Sequence, residues 1–256
     1  MKIGFIGVGK MASAIINAIK ETDTSIIISG SSLERSIEIA KKLGVDYAKS
    51  HQELIDQVDL VVLGVKPQKF PSVLNGLIFK QAIMSMAAGI TLEKLQQLTD
   101  DKLPLIRIMP NMNAIIREST TAITFNEKAS DKWKGYCLQL TNQFGKTYEI
   151  EEKDFDTFTA LAGSSPAFIY QFIEAMAKAG VNNGISKDKA LEIVEQTVMA
   201  SALNLQETNS NPNDLIDAIC SPGGTTIAGL MDLEKNHFTH TISSAIDQTI
   251  TKAKRL

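Results

Sequence analysis

The fold class is decided by one stretch near the start, Lys2-Ile3-Gly4-Phe5-Ile6-Gly7-Val8-Gly9-Lys10-Met11-Ala12. The apolar run Lys2–Ile6 predicts a β-strand, and the glycine-rich segment Gly7–Ala12 follows it directly. This G-x-G-x-x-A pattern opens an apolar stretch, Met11–Ile19, which predicts a helix. A strand, a glycine turn and a helix in that order are typical of the first unit of a dinucleotide-binding fold.

Each position of the segment Gly7–Ala12 suits a turn that binds phosphate. Gly7 permits the tight turn, Gly9 lets the backbone approach a pyrophosphate, and Ala12 allows close packing of helix on strand. The helix N-terminus then faces the phosphates. A glycine turn without a ligand is the less favoured interpretation. We therefore expect the cofactor-binding residues here to be Ile6, Gly7, Val8, Gly9, Lys10 and Met11.

Short apolar runs alternate with helical patterns as far as about residue 150, which predicts an α/β fold with a parallel sheet. Further strands are expected at Ser25–Ser29, Leu60–Val65, Ile83–Ala87, Leu105–Met109, Ala122–Thr124 and Lys146–Glu149. From Phe155 onward the apolar periodicity is helical. We predict a Rossmann-like, doubly wound domain over residues 1–152 and an all-helical domain over residues 153–256.

The end of the second predicted strand bears on the choice between NAD and NADP. An NAD enzyme usually has an acidic residue there, which holds the ribose 2′-hydroxyl. This chain has Ser29 and Gly30 at that place. Ser31 and Arg35 could receive a 2′-phosphate, or a serine merely caps the next helix and Arg35 is a solvated charge. We expect NADPH to be preferred, with NADH possible, and His51 to lie near the adenosine unless it is an ordinary loop residue.

A second glycine turn lies in the helical part of the chain. Ser221-Pro222-Gly223-Gly224-Thr225-Thr226 is predicted to open a helix at Ile227. Backbone N–H groups at a helix N-terminus make an anion site, and the hydroxyls of Thr225 and Thr226 can add hydrogen bonds. The alternative is that Thr225 only caps the helix.

Four motifs together resemble the pyrroline-5-carboxylate reductase family. They are Gly7–Ala12, Val65–Gln68, Arg107–Asn111 and Ser221–Leu230, and Gly163–Phe168 is close to a fifth. The resemblance covers essentially the whole chain, and Ser221–Leu230 is its most specific part. The sequence departs from the family pattern at Met112, Asn113 and Ser165.

The resemblance implies an enzyme that passes a hydride from NADPH to the C=N bond of 1-pyrroline-5-carboxylate, giving L-proline. It also implies a homodimer through the helical domain, with higher homo-oligomers in some members. It places at the nicotinamide end of the cofactor cleft Gly64, Val65, Lys66, Pro67, Met86, Ala87 and Ala88.

For the substrate, the resemblance implies two groups of residues. The catalytic candidates are Thr226, Thr225 and Ser221, and the substrate-binding candidates are Glu152, Ser164, Gly223, Gly224 and Asn111. Asn111 could equally stabilise the turn that follows its strand. The segment Gly163–Pro166 could simply kink a helix at the domain junction.

The composition argues against several other classes of protein. A net charge of −3 gives no electrostatic footprint for nucleic acid, and no apolar run is long enough for a membrane span. His237 and His240 lack companion ligands, so no metal site is expected. Cys137 and Cys220 lie far apart and in no ligand-like spacing, which predicts free thiols in a reducing cytoplasm. The partner expected besides a second copy of the chain is a small-molecule substrate.

Two other functions stay open from the residues. One is an NADPH-linked reductase of a different cyclic imine or a keto acid, because the same cofactor domain would serve it. The other is a catalytically silent dinucleotide-binding paralogue. The departures at Met112, Asn113 and Ser165 are its support, whereas the intact segment Ser221–Thr226 argues against it.

Overall fold

The computed structural model describes residues 1–22 and 24–255. They form two compact units. The first comprises residues 1–163 and the chain from Ile250 onward, and the second is Ser164–Thr249.

The first unit is built on one sheet whose strands lie in the order β3-β2-β1-β4-β5-β6-β7-β8. Their bounds are β1 Lys2–Ile6, β2 Ser25–Ser29, β3 Asp46–Tyr47, β4 Leu60–Leu63, β5 Ala82–Ser85, β6 Leu105–Met109, β7 Ser119–Phe125 and β8 Gly145–Glu149. Neighbouring strands run parallel, except that β7 runs antiparallel to β6. The predicted Rossmann-like sheet is confirmed, with the short strand β3 as an addition.

Helices follow most of these strands. In the first unit they are α1 Lys10–Ile19, α2 Leu33–Leu43, α3 His51–Ile55, α4 Phe70–Leu74, α5 Leu92–Leu98, α6 Asp131–Thr141 and α7 Phe155–Phe158. The second unit contains α8 Ser165–Asn182, α9 Lys187–Thr208, α10 Pro212–Ile219, α11 Thr225–Lys235 and most of α12, Phe238–Ala253. The described residues of the second unit contain no strand, so the predicted helical domain is also confirmed.

The sheet is buried on both faces because successive residues of a strand point to opposite sides. Leu60 and Val62 join one apolar cluster, and Val61 and Leu63 join the other. All four side chains of β4 are buried. A continuously apolar strand is therefore what a central position between two helical layers requires.

The direction in which successive strands are added to the sheet reverses between β1 and β4. From β1 the chain moves outward to β2 and β3, then returns to place β4 on the other side of β1. In open α/β sheets, ligands bind outside the carboxyl ends of the strands at such a switch point. The loops after β1, β4 and β5 lie at this edge.

The first unit extends further along the chain than the predicted limit at residue 152. Phe155 is 1% exposed and packs with Met109 and Ala122. The side-chain amide of Asn111 donates to the carbonyl oxygen of Ala162 at 3.0 Å. These contacts hold the segment up to Gly163 against the sheet. The functional limits of the two domains stay a prediction.

Candidate functional site

The turn after β1 requires glycine at two positions, one in the turn itself and one in the loop after β4. Gly7 has φ +80°, and a Cβ there would overlap the side chain of Val65. A Cβ on Gly64 would overlap the carbonyl oxygen of Gly7. The Gly7 N–H donates to the carbonyl oxygen of Ser29 at 2.9 Å. The turns after β1 and β4 therefore pack backbone against backbone at the switch point.

The N-terminus of α1 is open to a ligand. Gly9 is its N-cap residue, and no side chain caps the helix within the described part of the chain. A Cβ built on Gly9 meets no atom within 4 Å, so the backbone face that it would cover is free. The first turn carries no acidic residue. Unsatisfied N–H groups and a positive helix end suit a diphosphate.

The end of β2 has a serine and a histidine where an NAD enzyme usually has a carboxylate. Ser29 is 2% exposed, and its Oγ lies 2.7 Å from Nδ1 of His51. Burial lowers the pKa of His51, because desolvation disfavours the imidazolium. The Gly30 N–H donates to Oγ of Ser36 at 2.8 Å. His51 thus lies beside the end of β2, and its contact with adenosine stays a prediction.

Serine capping is observed at the start of α2. The hydroxyl of Ser32 accepts from the backbone N–H of Arg35 at 3.2 Å. The Arg35 guanidinium forms an ion pair with Glu38 at 2.7 Å, and its side chain is 52% exposed. Ser31 is exposed. Because an exposed pair of this kind contributes little stability, Arg35 is able to turn toward an anion.

Two strands end earlier than their apolar runs predicted. β4 ends at Leu63 and β5 ends at Ser85, so Val65 and Ala87 lie in the loops that follow. The Met86 N–H donates to the carbonyl oxygen of Leu63 at 3.3 Å, which joins the two loops at their base. Glycine at position 64 breaks the first strand because it must pack on the turn of Gly7. The predicted nicotinamide-end residues are thus brought together at one edge.

A buried ion pair joins β6 to the segment before α7. Arg107 is 4% exposed, and its Nη1 lies 2.9 Å from Oε1 of Glu152. The guanidinium lies 4.4 Å from the ring centre of Phe155. Oε1 of Glu152 also accepts from the backbone N–H of Leu92 at 2.7 Å. The predicted substrate role of Glu152 is untested, and the oxygen named here already has two donors.

Sequence reasoning named Glu152 but missed the role of Arg107. The signal was present, because Arg107 is the charged residue in the otherwise apolar strand Leu105–Met109. A cation in a strand covered on both faces needs a partner in the protein. Its partner could not be identified from spacing, since Glu152 lies 45 residues further on.

Asn111 uses its side chain to hold its own surroundings. It is 3% exposed, and its Oδ1 accepts from the backbone N–H of Asn113 at 3.1 Å. Its amide nitrogen donates to Ala162, and its backbone N–H donates to Oγ of Ser119 at 3.0 Å. The turn-stabilising interpretation is therefore observed. Contact of Asn111 with a substrate stays a prediction.

The second glycine turn opens its helix two residues earlier than predicted. α11 begins at Thr225 rather than at Ile227, and Gly224 is the N-cap residue. Gly223 has φ +69°, and the Gly224 N–H donates to the carbonyl oxygen of Ser221 at 3.0 Å. Thr225 is thus the first helical residue, and the alternative that it caps the helix is wrong.

The threonine hydroxyls of this turn have no hydrogen-bond partner in the part of the chain that the structure describes. Across residues 1–22 and 24–255, neither Thr225 nor Thr226 forms a side-chain hydrogen bond, and both residues are exposed. No side chain caps α11 either. A helix end with free N–H groups and two free hydroxyls can bind a small carboxylate and still donate or accept one further hydrogen bond.

A π-helical segment, Thr159–Ser164, precedes α8. The Thr159 hydroxyl donates to the carbonyl oxygen of Phe155 at 2.7 Å. Ser164 ends the segment and takes the N-cap position of α8, followed by Pro166 in the first turn. Short π-helical segments of this kind are frequent at functional sites. A kink at Gly163–Pro166 stays a prediction. The substrate role of Ser164 stays a prediction.

Residues 1–22 and 24–255 contain no group of three or more metal-ligating side chains and no helix long and apolar enough to cross a membrane. Cys137 and Cys220 are free thiols. Burial raises the pKa of Cys137 to about 12, so this thiol is inert.

Two family models match the chain. Residues 152–256 match the family described as pyrroline-5-carboxylate reductase dimerisation. Residues 2–89 match the family described as NADP oxidoreductase, coenzyme F420-dependent. The second match covers the turns after β1 and β4, and the first covers the threonine turn.

Full-length relatives agree with these matches. The chain is 38% identical to pyrroline-5-carboxylate reductase of Aquifex aeolicus, over 100% of this chain and 97% of the relative. It is similar to the crystal structure of 1-pyrroline-5-carboxylate reductase from Streptococcus pyogenes, with 65% identity, a TM-score of 0.96 and coverage of 100% and 99%. It is also similar to Plasmodium falciparum pyrroline carboxylate reductase with NADP bound, with 31% identity, a TM-score of 0.91 and coverage of 100% and 97%.

Proposed function

The chain belongs to the pyrroline-5-carboxylate reductase family, and from this we propose that it reduces 1-pyrroline-5-carboxylate to L-proline with NADPH. The observation that carries the proposal is the family similarity over the whole chain. An open helix N-terminus in each unit, at Gly9 and at Gly224, supports it. One suits the diphosphate of a dinucleotide, and the other suits the carboxylate of a small substrate.

The cofactor proposal is supported by the fit of the first unit. The free backbone face at Gly9 and the uncapped start of α1 suit the diphosphate. The Plasmodium falciparum relative is described with NADP bound. Ser31 and Arg35 lie exposed just beyond β2, where a 2′-phosphate would come. We therefore assign NADPH as the preferred cofactor, with NADH as a weaker one.

The reaction requires little acid or base catalysis from the protein. The bound nicotinamide supplies the hydride, and a protonated imine is already an electrophile. The chain's task is then to orient the imine and hold its carboxylate. In our proposal the backbone N–H groups of Gly223–Thr225 bind the carboxylate, the hydroxyl of Thr226 hydrogen-bonds the ring nitrogen, and Ser221 and Thr225 support this loop.

The second unit is proposed to form a homodimer, which can assemble further. The match to a dimerisation family indicates a homo-oligomer. Large apolar side chains of this unit, including Tyr170, Met199 and Ile219, are between 53% and 66% exposed. A second copy of the chain would cover them. Because both thiols are free, we place the enzyme in the cytoplasm.

The proposal is tested with purified chain, NADPH and 1-pyrroline-5-carboxylate, by following the absorbance of the reduced cofactor and measuring L-proline. We expect one proline for each NADPH oxidised. A chain that binds NADPH but does not oxidise it with this imine contradicts the proposal. A six-membered cyclic imine and a keto acid, assayed in parallel, then separate a different substrate from a silent paralogue.

A further inference from the structure

Glu152 joins three separate parts of the first unit through one oxygen. Its Oε1 accepts from Nη1 of Arg107 on β6 at 2.9 Å. The same atom accepts from the backbone N–H of Leu92, the first residue of α5, at 2.7 Å. Glu152 itself lies in the turn before α7. The carboxylate therefore fixes the start of α5 relative to β6.

Arg107 fixes the position of that carboxylate in turn. The guanidinium is buried between the sheet and the ring of Phe155, and within the described residues its Nε has no hydrogen-bond partner. A buried cation that lost its counter-charge would be strongly destabilising. Glu152 is the acidic partner that the structure gives to Arg107. The pair is thus held in one arrangement.

The loop Met86–Thr91 is the element that this arrangement controls. It leaves β5 at the carboxyl edge of the sheet, where ligands bind in folds of this kind. At its start, the Ala87 N–H donates to Oγ of Ser85 at 3.3 Å. At its far end, the tie from Leu92 to Glu152 follows directly. Gly89, in the middle of the loop, has φ +74°, a left-handed conformation that favours glycine.

The far end of the loop borders open space. A cavity of about 390 Å³ lies beside the ion pair, and Gly89, Thr91, Arg107 and Glu152 are among the residues that line it. On the sheet side, Ala87 and Ile90 are buried in the apolar cluster beneath the loop. On the cavity side, the hydrogen bond from Leu92 to Glu152 fixes the end of the loop.

We propose that Glu152, held by Arg107, is a positioning residue that fixes the loop Met86–Thr91 against the nicotinamide ring of the bound cofactor. The inference rests on the proposed function. It replaces the sequence-based expectation that Glu152 contacts the substrate. An angstrom of misplacement at a reacting centre can lower a rate about a hundredfold, so a short tie remote from the substrate is sufficient to control turnover.

The sharpest test removes one N–H group. Leu92 is the first residue of α5, and Thr91 before it has φ −73° and ψ 164°, so proline fits at position 92. Leu92→Pro deletes the donor to Glu152 and leaves the pair with Arg107 in place. Leu92→Ala is the matched control, because it also loses the leucine side chain but keeps the N–H.

We expect Leu92→Pro to lower kcat about ten- to a hundredfold relative to Leu92→Ala. The KM for 1-pyrroline-5-carboxylate should change by less than about threefold, because the altered residue does not touch the substrate. The isotope effect with NADPH deuterated at the transferred position should increase, since hydride transfer becomes slower. Equal kcat values for the two Leu92 variants would overturn the inference.

Variants of Glu152 provide a second test of the inference. Glu152→Gln keeps an oxygen that can accept from Leu92 but loses the counter-charge of Arg107, so it should retain more of kcat than Glu152→Ala, which loses both contacts. Glu151→Ala is the control, because Glu151 is exposed and pairs with Lys153 on the surface. A raised KM for the imine with unchanged kcat in Glu152→Ala would overturn the inference and make Glu152 a substrate ligand. An inactive parent contradicts the proposed function instead.

Discussion

The two units of this chain differ in how far they bury their large apolar side chains. In the first unit, the strands and helices bury large residues completely, and Phe5, Phe70, Ile16 and Leu60 are each at most 1% exposed. In the second unit, the described residues that are buried are Ala177, Ala190 and Val194. Its large apolar residues lie on the surface of the isolated chain.

The difference teaches what each unit needs in order to be stable. A sheet with helices on both faces completes its own core, so one copy of the chain is enough for the first unit. A set of helices with exposed apolar faces has not removed that surface from water, and covering it supplies the main driving force for association. We therefore expect the first unit to respond to core changes alone, and the second to respond to protein concentration as well.

The largest expected effect comes from a charge on the exposed apolar surface of the second unit. Met199 on α9 is 53% exposed, and Ile78 in the first unit is 64% exposed. Met199→Glu would bury a carboxylate between two copies, which costs several kcal/mol, or roughly a hundredfold or more in dimer affinity. Ile78→Glu should leave the dimer unchanged. Analytical ultracentrifugation measures the dimer affinity of both variants. Equal affinities would contradict the difference drawn between the two units.

The core of the first unit should show a large effect that does not depend on concentration. Phe70 is 0% exposed and packs in the cluster beneath β4 and β5. Phe70→Ala should lower the free energy of unfolding of this unit by about 3–5 kcal/mol. Urea unfolding followed at two protein concentrations tests this. A loss of stability that disappears at high concentration would show that the first unit, too, depends on a second copy.

The open helix end of the second unit should matter for turnover. Thr226→Ala removes one positioned hydrogen bond to the reacting group and should lower kcat about ten- to a thousandfold. Thr226→Val has a similar volume to threonine and tests the hydroxyl alone. NADPH binding, measured by fluorescence, should survive in both because the cofactor turn lies in the other unit. Parent-like rates in both variants would make the loop purely structural.

The smallest effect is expected at the edge of the cofactor unit. Arg35 is half exposed, and among the described residues its ion-pair partner is Glu38 on its own helix. Arg35→Ala should raise the KM for NADPH about tenfold and leave that for NADH unchanged, because only NADPH has the 2′-phosphate. Lys41→Ala, on the same helix, is a control for charge alone. Equal losses with both cofactors would show that Arg35 does not read the phosphate.

Local chemistry made the first unit predictable from sequence. The strand β1, the turn at Gly7 and the helix α1 follow from an apolar run and glycines that are adjacent in the chain. The strand β2 has the bounds predicted from its apolar run. Such features depend on near neighbours, and those are visible in a sequence.

Features that depend on distant parts of the chain were not predictable in the same way. β4 and β5 end before their apolar runs end. After β4, Gly64 packs against the backbone of the turn at Gly7. The pair of Arg107 with Glu152 and the tie to Leu92 span 45 and 60 residues. No local pattern specifies such partners, since the sheet topology brings them together.

The central claim is that the exposed apolar faces of the second unit are covered by a second copy of the chain. Sedimentation velocity of the parent chain at micromolar concentration tests it most directly. We predict one species of about twice the chain mass of 27.9 kDa, or a multiple of that dimer. A folded species of 27.9 kDa at that concentration, with no dimer, would contradict the account.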